Sequence, residues 1–267
     1  MNRRASPILL YHGAEESGDA IRDPLYSLPP ARIRAQIAAL REAGFRSVTL
    51  GEFLARGGYC AGGCVITIDD GLLSAATVLF PALAGADLTA VIFPVAGMVG
   101  RKGWVDWTAL AEMRQAGFEV GSHGMTHASL AAASAREELA ASKRRIEDRL
   151  GAPVQYLALP GGYRSRATAS YAAEAGYTAI CGSRFGYNKV PAEPMDLKRI
   201  CLKRGDGPEA AAVFAAGRPG RIAGRFMRER GKEIGRAILG PRIYAALRGR
   251  LVPEGACRSL PRFPQDT

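Results

Sequence analysis

Short continuous apolar runs alternate along the chain with longer stretches in which apolar residues recur every three or four positions. PILLY (7–11), CVITI (64–68) and TAVIFPV (89–95) are runs of strand length, the pattern of strands buried on both faces. RSVTL (46–50), FEVGS (118–122), VQYLALP (154–160), YTAICG (177–182) and KRICL (198–202) predict further strands. Between them, ARIRAQIAALREAG (31–44) sets Ile33, Ile37 and Leu40 on one helical face and stops at Gly44. Residues 72–86, 106–117, 134–151 and 166–176 read as helices in the same way, and a short one precedes the glycines at 57–58. This alternation predicts an α/β fold with mostly parallel strands inside and helices outside. Periodicity alone does not choose between an open sheet and a closed barrel. The clusters YHG, TIDDG, GSHGMTH, LPGGY and CGSRFGYN follow the C-terminal ends of nearly all the strands. An open sheet gathers its site near a switch point, whereas a barrel uses the loops of one whole face. The barrel is therefore expected.

From about Gly207 the pattern changes. Residues 218–250 are crowded with arginines interleaved with Ile, Phe, Leu and Tyr. They read either as a helix pair with a solvated basic face or as a basic amphipathic segment lying on an anionic membrane or glycan. The expected organisation is a barrel domain over 1–206, a basic amphipathic helical extension over 207–251 and a loose tail over 252–267. Lys and Arg (36) exceed Asp and Glu (25) for a formal charge of +11, which favours anionic partners without naming one. Nucleic acid would rest on charge alone, since no binding motif for it occurs. Five cysteines (60, 64, 181, 201, 257) form no CxxC pair, so free thiols and a reducing compartment are expected. The apolar run near the N-terminus is too short for a signal peptide, and no window approaches a membrane span. The expectation is a cytoplasmic chain, peripheral at the inner membrane if 218–250 binds lipid.

Chemistry concentrates in two places. The three histidines are His12, His123 and His127, and the last two stand four apart in GSHGMTH just after a strand. That spacing brings two imidazoles to one side of a turn, where they can share a metal. The strand CVITI runs directly into Asp69 and Asp70. Two imidazoles and one carboxylate leave positions open on a divalent ion, the catalytic arrangement. One aspartate can bind the ion while the other accepts a proton from water beside it.

TIDDG followed by DWTALAEMRQAGFEVGSHGMTHASL, whose GSHGMTH lies some fifty residues on, resembles the polysaccharide deacetylase family, also called carbohydrate esterase family 4 or the NodB-homology domain. The resemblance covers roughly residues 6–205. It implies a distorted (β/α)7 barrel of parallel strands and metal-dependent, usually zinc-dependent, removal of N-acetyl groups from glycans. Carried over, Asp69 is the catalytic base and Asp70, His123 and His127 are the metal ligands. In LALPGGY, Pro160 matches the third motif and Gly161 takes the place of its tyrosine, leaving a backbone N–H to face the oxyanion. Tyr163 is the candidate to restore the aromatic wall. The motif's arginine, which orients the base, would fall near Ala158 and is absent; Arg164 or Arg199 can replace it, with Arg199 preferred. The family's C-terminal acid histidine is missing too. LLYHG resembles the LxYH opening of a branch that includes poly-N-acetylglucosamine deacetylases, which makes His12 the candidate acid. Trp104, Arg184 and Asn188 are candidate substrate contacts, Trp104 as a stacking platform. Two rival readings remain: another amide hydrolase on the same barrel, and a catalytically weakened glycan-binding protein.

Overall fold

The structure, a computed structural model, describes residues 6–15, 18–20, 23–128, 130, 135–162 and 164–217, together with 224, 225, 227, 229 and 231. The chain opens with β1 (Ile8–Tyr11), two short strands β2 (Gly13–Ala14) and β3 (Ser27–Leu28), and helix α1 (Pro30–Glu42). Then come β4 (Arg46–Ser47), α2 (Leu50–Ala55), β5 (Gly63–Asp70), α3 (Phe80–Ala84), β6 (Val91–Pro94), α4 (Trp107–Gln115) and β7 (Glu119–Val120). The last part runs α5 (Ala135–Leu150), β8 (Tyr156–Ala158), α6 (Arg166–Glu174), β9 (Ala179–Phe185), β10 (Leu197–Cys201) and α7 (Ala210–Ala215).

Seven parallel strands run in the order β7-β6-β5-β1-β10-β9-β8. A single parallel bridge between Ser122 and Leu157 joins the two outer strands. There Ser122 N–H donates to Tyr156 O and Ala158 N–H donates to Ser122 O, both at 2.9 Å. The result is the nearly closed (β/α)7 barrel expected from the sequence. Gly121 permits the closure: a Cβ there would lie 2.4 Å from the Phe93 ring and 2.8 Å from Tyr156 O. No side chain fits at that seam.

The strands sort their residues by period two. On β5, Cys64, Ile66 and Ile68 face the helical layer, in one core with Leu9, Ile33, Ile37, Leu40 and Ile92. Val65 joins an inner core with Ile8, Val91, Phe93, Ala158, Cys181 and Leu197. Two segments differ from the sequence expectation. Residues 72–86 form a π-helical turn, Ala75–Leu79, before α3. Pro81 lacks the N–H that would bond back one turn, and its ring crowds the carbonyl there, so the turn widens. The strand expected over 46–50 stops at Ser47 because the Thr49 hydroxyl accepts Glu52 N–H at 3.0 Å and starts α2 at Leu50.

Among the described residues no helix is long and apolar enough to cross a membrane. Cys60, Cys64, Cys181 and Cys201 are free thiols. Within the expected basic extension, α7 packs Ala211 and Phe214 into the outer core. Arg225 lies over the rings of Phe185 and Phe214 and pairs with Asp206, and Lys203 pairs with Glu229 at 2.7 Å. Most of 218–250 and the whole tail 252–267 lie outside the described residues.

Candidate active site

Asp69 and Asp70 reach the barrel mouth by two different routes. Alternation along β5 points Asp69 inward, above Thr67 and Val65. The same alternation would aim Asp70 at the helices. Instead Asp70 adopts φ 69°, which breaks the strand and turns its carboxylate toward the loop after β7. His127 also has a left-handed backbone, φ 63°. Such conformations cost a residue with a side chain about 1–2 kcal/mol each and persist only where the surroundings enforce them. Both residues belong to one cluster.

Asp70 Oδ1 lies 3.3 Å from His123 Nε2 and 3.5 Å from His127 Nε2. One ligand atom from each of the three residues falls within 4.8 Å of the others. Four ligands placed tetrahedrally at about 2.1 Å from an ion stand about 3.4 Å apart, so the two spacings suit an ion between them. The tautomer suits it as well. His123 Nδ1 lies 2.9 Å from Ala158 O; a carbonyl can only accept, so Nδ1 carries a hydrogen, and in the neutral ring Nε2 is the nitrogen with the lone pair. Burial opposes protonation of His123, but the charges of Asp69 and Asp70 and the hydrogen bond to Asp70 outweigh it and raise its pKa. Burial would likewise raise the Asp70 pKa, yet hydrogen bonds from His123 and His127 hold it well below the usual carboxylate range. This negative, nitrogen-and-oxygen donor set fits a divalent first-row metal.

Asp69 is 2 % exposed and Arg199 1 % exposed. The guanidinium grips the carboxylate through both oxygens, Nη1 to Oδ1 and Nη2 to Oδ2, each at 2.7 Å. Two further donors go to Thr67 Oγ1 at 3.2 Å and, from Nε, to Gly182 O at 2.7 Å. Arg199 enters from β10, where the pairing register with β9 shifts between Leu197 and Arg199. Burial would raise the Asp69 pKa, but the charges of Arg199 and His123 and the Arg199 hydrogen bonds bring it below the ordinary value. Asp69 is therefore an ionised, immobilised carboxylate beside the cluster. Arg164 is exposed and donates Nε to Met195 O at 3.0 Å, so it does not take this position.

His12 follows β1, the strand between β5 and β10. Its ring stacks on Tyr26 with centroids 4.7 Å apart, and Nδ1 lies 3.8 Å from Cys201 Sγ. Burial lowers its pKa, against the pull of Asp70 and Asp69. Gly161 stands exposed at the mouth in a 3-10 turn, Pro160–Gly162, with φ 64°. A tyrosine in that conformation would be strained, and a Cβ at Gly162 would meet Ser183 Oγ at 1.6 Å. The turn thus favours glycine where the motif it resembles has a tyrosine.

Of the remaining candidates, Trp104 and Asn188 are placed differently from the sequence expectation. Trp104 is buried in a small cluster with Leu72, Val95 and Met98, so its face is packed and not presented as a platform. Asn188 is buried and spends its amide on the Lys198 backbone, donating to O at 3.0 Å and accepting from N–H at 2.8 Å. Arg184 is exposed but ion-paired with Asp196. Tyr163 lies outside the described residues. Neither the Ala158 carbonyl nor the contacts of Tyr26 and Cys201 with His12 leave a sequence signal, because each is a contact across the fold.

Fold and site together define a parallel (β/α)7 barrel with an Asp-His-His cluster and an arginine-clamped aspartate at the C-terminal ends of its strands. Residues 60–180 match the family model described as polysaccharide deacetylase. YxkH of Bacillus subtilis, provisionally named a polysaccharide deacetylase, is 26 % identical over 178 residues. That alignment covers 64 % of this chain and 62 % of YxkH, so it spans less than two thirds of that relative. Among solved structures, BC0361, a polysaccharide deacetylase from Bacillus cereus, has a TM-score of 0.72 at 22 % identity, covering 80 % of this chain and 69 % of its own. Streptococcus pyogenes deacetylase PplD, in complex with acetate, has a TM-score of 0.72 at 20 % identity, covering 80 % and 99 %. IcaB from Ammonifex degensii has a TM-score of 0.68 at 24 % identity, covering 79 % and 97 %. At these identities the likeness is one of fold.

Proposed function

We propose that this chain is a metal-dependent hydrolase that removes an N-acetyl group from a saccharide. The observation that carries the reading is the bidentate Arg199 clamp on a buried Asp69, set beside a cluster whose donors suit a divalent ion such as zinc. Asp70, His123 and His127 hold that ion. When bound, it lowers the pKa of water and polarises the acetamide carbonyl. Asp69 takes the proton from the attacking water, and Arg199 keeps its carboxylate ionised and aimed. The Gly161 N–H donates to the oxyanion that forms on the carbonyl oxygen. His12, in its protonated form, delivers a proton to the departing nitrogen as the C–N bond breaks. The family and the fold support glycan deacetylation. The completed arginine–aspartate pair speaks against a weakened binding protein, since a buried pair of charges is costly to keep without a use.

The test is acetate release from N-acetylated oligosaccharides, run beside a panel of small amides. Activity on the sugars should disappear with a chelator and return with zinc. Turnover of the amides with none on the sugars, or chelator-resistant activity, would sink the reading.

A further inference from the structure

The loop from β7 to α5 carries both histidines of the cluster, and its two halves are held by different means. The first half is tied to the barrel. His123 N–H donates to Pro94 O at 3.0 Å, while Ala96 and Gly97 N–H donate to Gly124 O and Met125 O at 2.9 and 2.8 Å. Beyond Met125 no further tie of this kind occurs among the described residues. Thr126 then gives both its N–H and its hydroxyl to one carboxylate oxygen, Glu138 Oε1, at 2.5 and 2.9 Å. The next residue is His127, in its left-handed conformation. Glu138 stands in the first turn of α5.

We propose that Glu138 is a positioning residue for His127, acting through Thr126. A charged acceptor shared by two donors fixes the Thr126 peptide, and that peptide sets the backbone from which the His127 ring reaches Asp70. His123 has its own support in the Ala158 carbonyl; Glu138 plays the matching part for the second histidine. Residues that orient a ligand in this way typically change metal affinity 10–100-fold when removed. The inference rests on reading Asp70, His123 and His127 as a metal site.

The measurement is zinc affinity of the full chain by competition with a chromophoric chelator, alongside the melting temperature of the metal-free chain. Glu138→Ala should weaken zinc binding about 10–100-fold, and Glu138→Gln, which keeps an oxygen acceptor, should recover most of that loss. Thr126→Val, which keeps the N–H and removes the hydroxyl, should fall between wild type and Glu138→Ala. Glu137→Ala alters the charge of the same helical turn and should bind zinc as wild type does. Should Glu138→Ala fail to fold, the Gln and Val variants carry the test. Wild-type affinity in Glu138→Ala, or in Thr126→Val if that chain is lost, overturns the role of Glu138 alone. Equal losses in Glu137→Ala and Glu138→Ala would also overturn it, by pointing to helix charge. A wild-type chain that binds no zinc overturns the metal reading and this inference together.

Discussion

Asp69 and Asp70 are chemically identical neighbours made different by backbone. The first lies within the strand and meets an arginine; the second ends it in a left-handed conformation and meets two histidines. The adjacency of the two carboxylates was plain in the sequence, as was the HxxxH spacing. Their division of labour came from family resemblance, because φ at Asp70 has no signature in TIDDG itself. Arg199 was one of two arginines able to face Asp69, and only the β10 register separates it from Arg164. Its removal has a predictable signature. Arg199→Met leaves Asp69 buried without a partner and should cost about 3–5 kcal/mol near neutral pH. In wild type the folded Asp69 pKa is depressed, so its contribution is present above the unfolded value and is lost as pH falls through the folded one. In the variant burial acts unopposed by Arg199, and protonation relieves the penalty. Denaturant unfolding should therefore show a deficit that shrinks on acidification; a deficit independent of pH would indicate lost packing only.

Helices and strands were legible wherever period and punctuation agreed. α1 runs from Pro30 to Glu42 and buries Ile33, Ile37 and Leu40, the face its spacing predicts. Reading failed where a local feature overrode the pattern, as with Pro81 in the π-helical turn and the Thr49 cap that cuts β4 short. The two-residue strands β2 and β3 carry too little pattern to be read at all. Helix α5 shows how an element is tied down at its far end. Glu147 accepts from Lys143 Nζ and from Val154 N–H, both at 2.8 Å, linking the helix to the approach of β8. Burial would raise the Glu147 pKa, but those hydrogen bonds lower it below 4.5. Glu147→Gln should cost about 1 kcal/mol at neutral pH, the modest figure for a charge-assisted bond that solvent partly screens. The contribution is present above the unfolded pKa and fades as pH falls through the folded one, so wild type and variant should converge in acid. Thermal melts from neutral pH to below pH 4 check this.

At the scale of the molecule, the sequence carried the barrel through the polar clusters that end its strands, but not the manner of its closure. One bridge at Ser122 shuts the ring, and it forms because Gly121 lets β7 approach Phe93 and the Tyr156 backbone. The bridge lies one residue before His123, so the closure that completes the core also delivers the first histidine to the mouth. Substrate contacts were the least legible part. Trp104 and Asn188 have the composition of a binding surface, yet the fold spends one on packing and the other on backbone hydrogen bonds. What the whole arrangement asserts is that a fixed carboxylate next to the cluster moves a proton. The most direct test is Asp69→Asn, which keeps the shape and can still accept from Arg199. Acetate release from an N-acetylated oligosaccharide should fall about 10²–10⁴-fold, the usual contribution of a general base, with zinc content unchanged. Undiminished acetate release by a zinc-loaded Asp69→Asn chain would contradict the account.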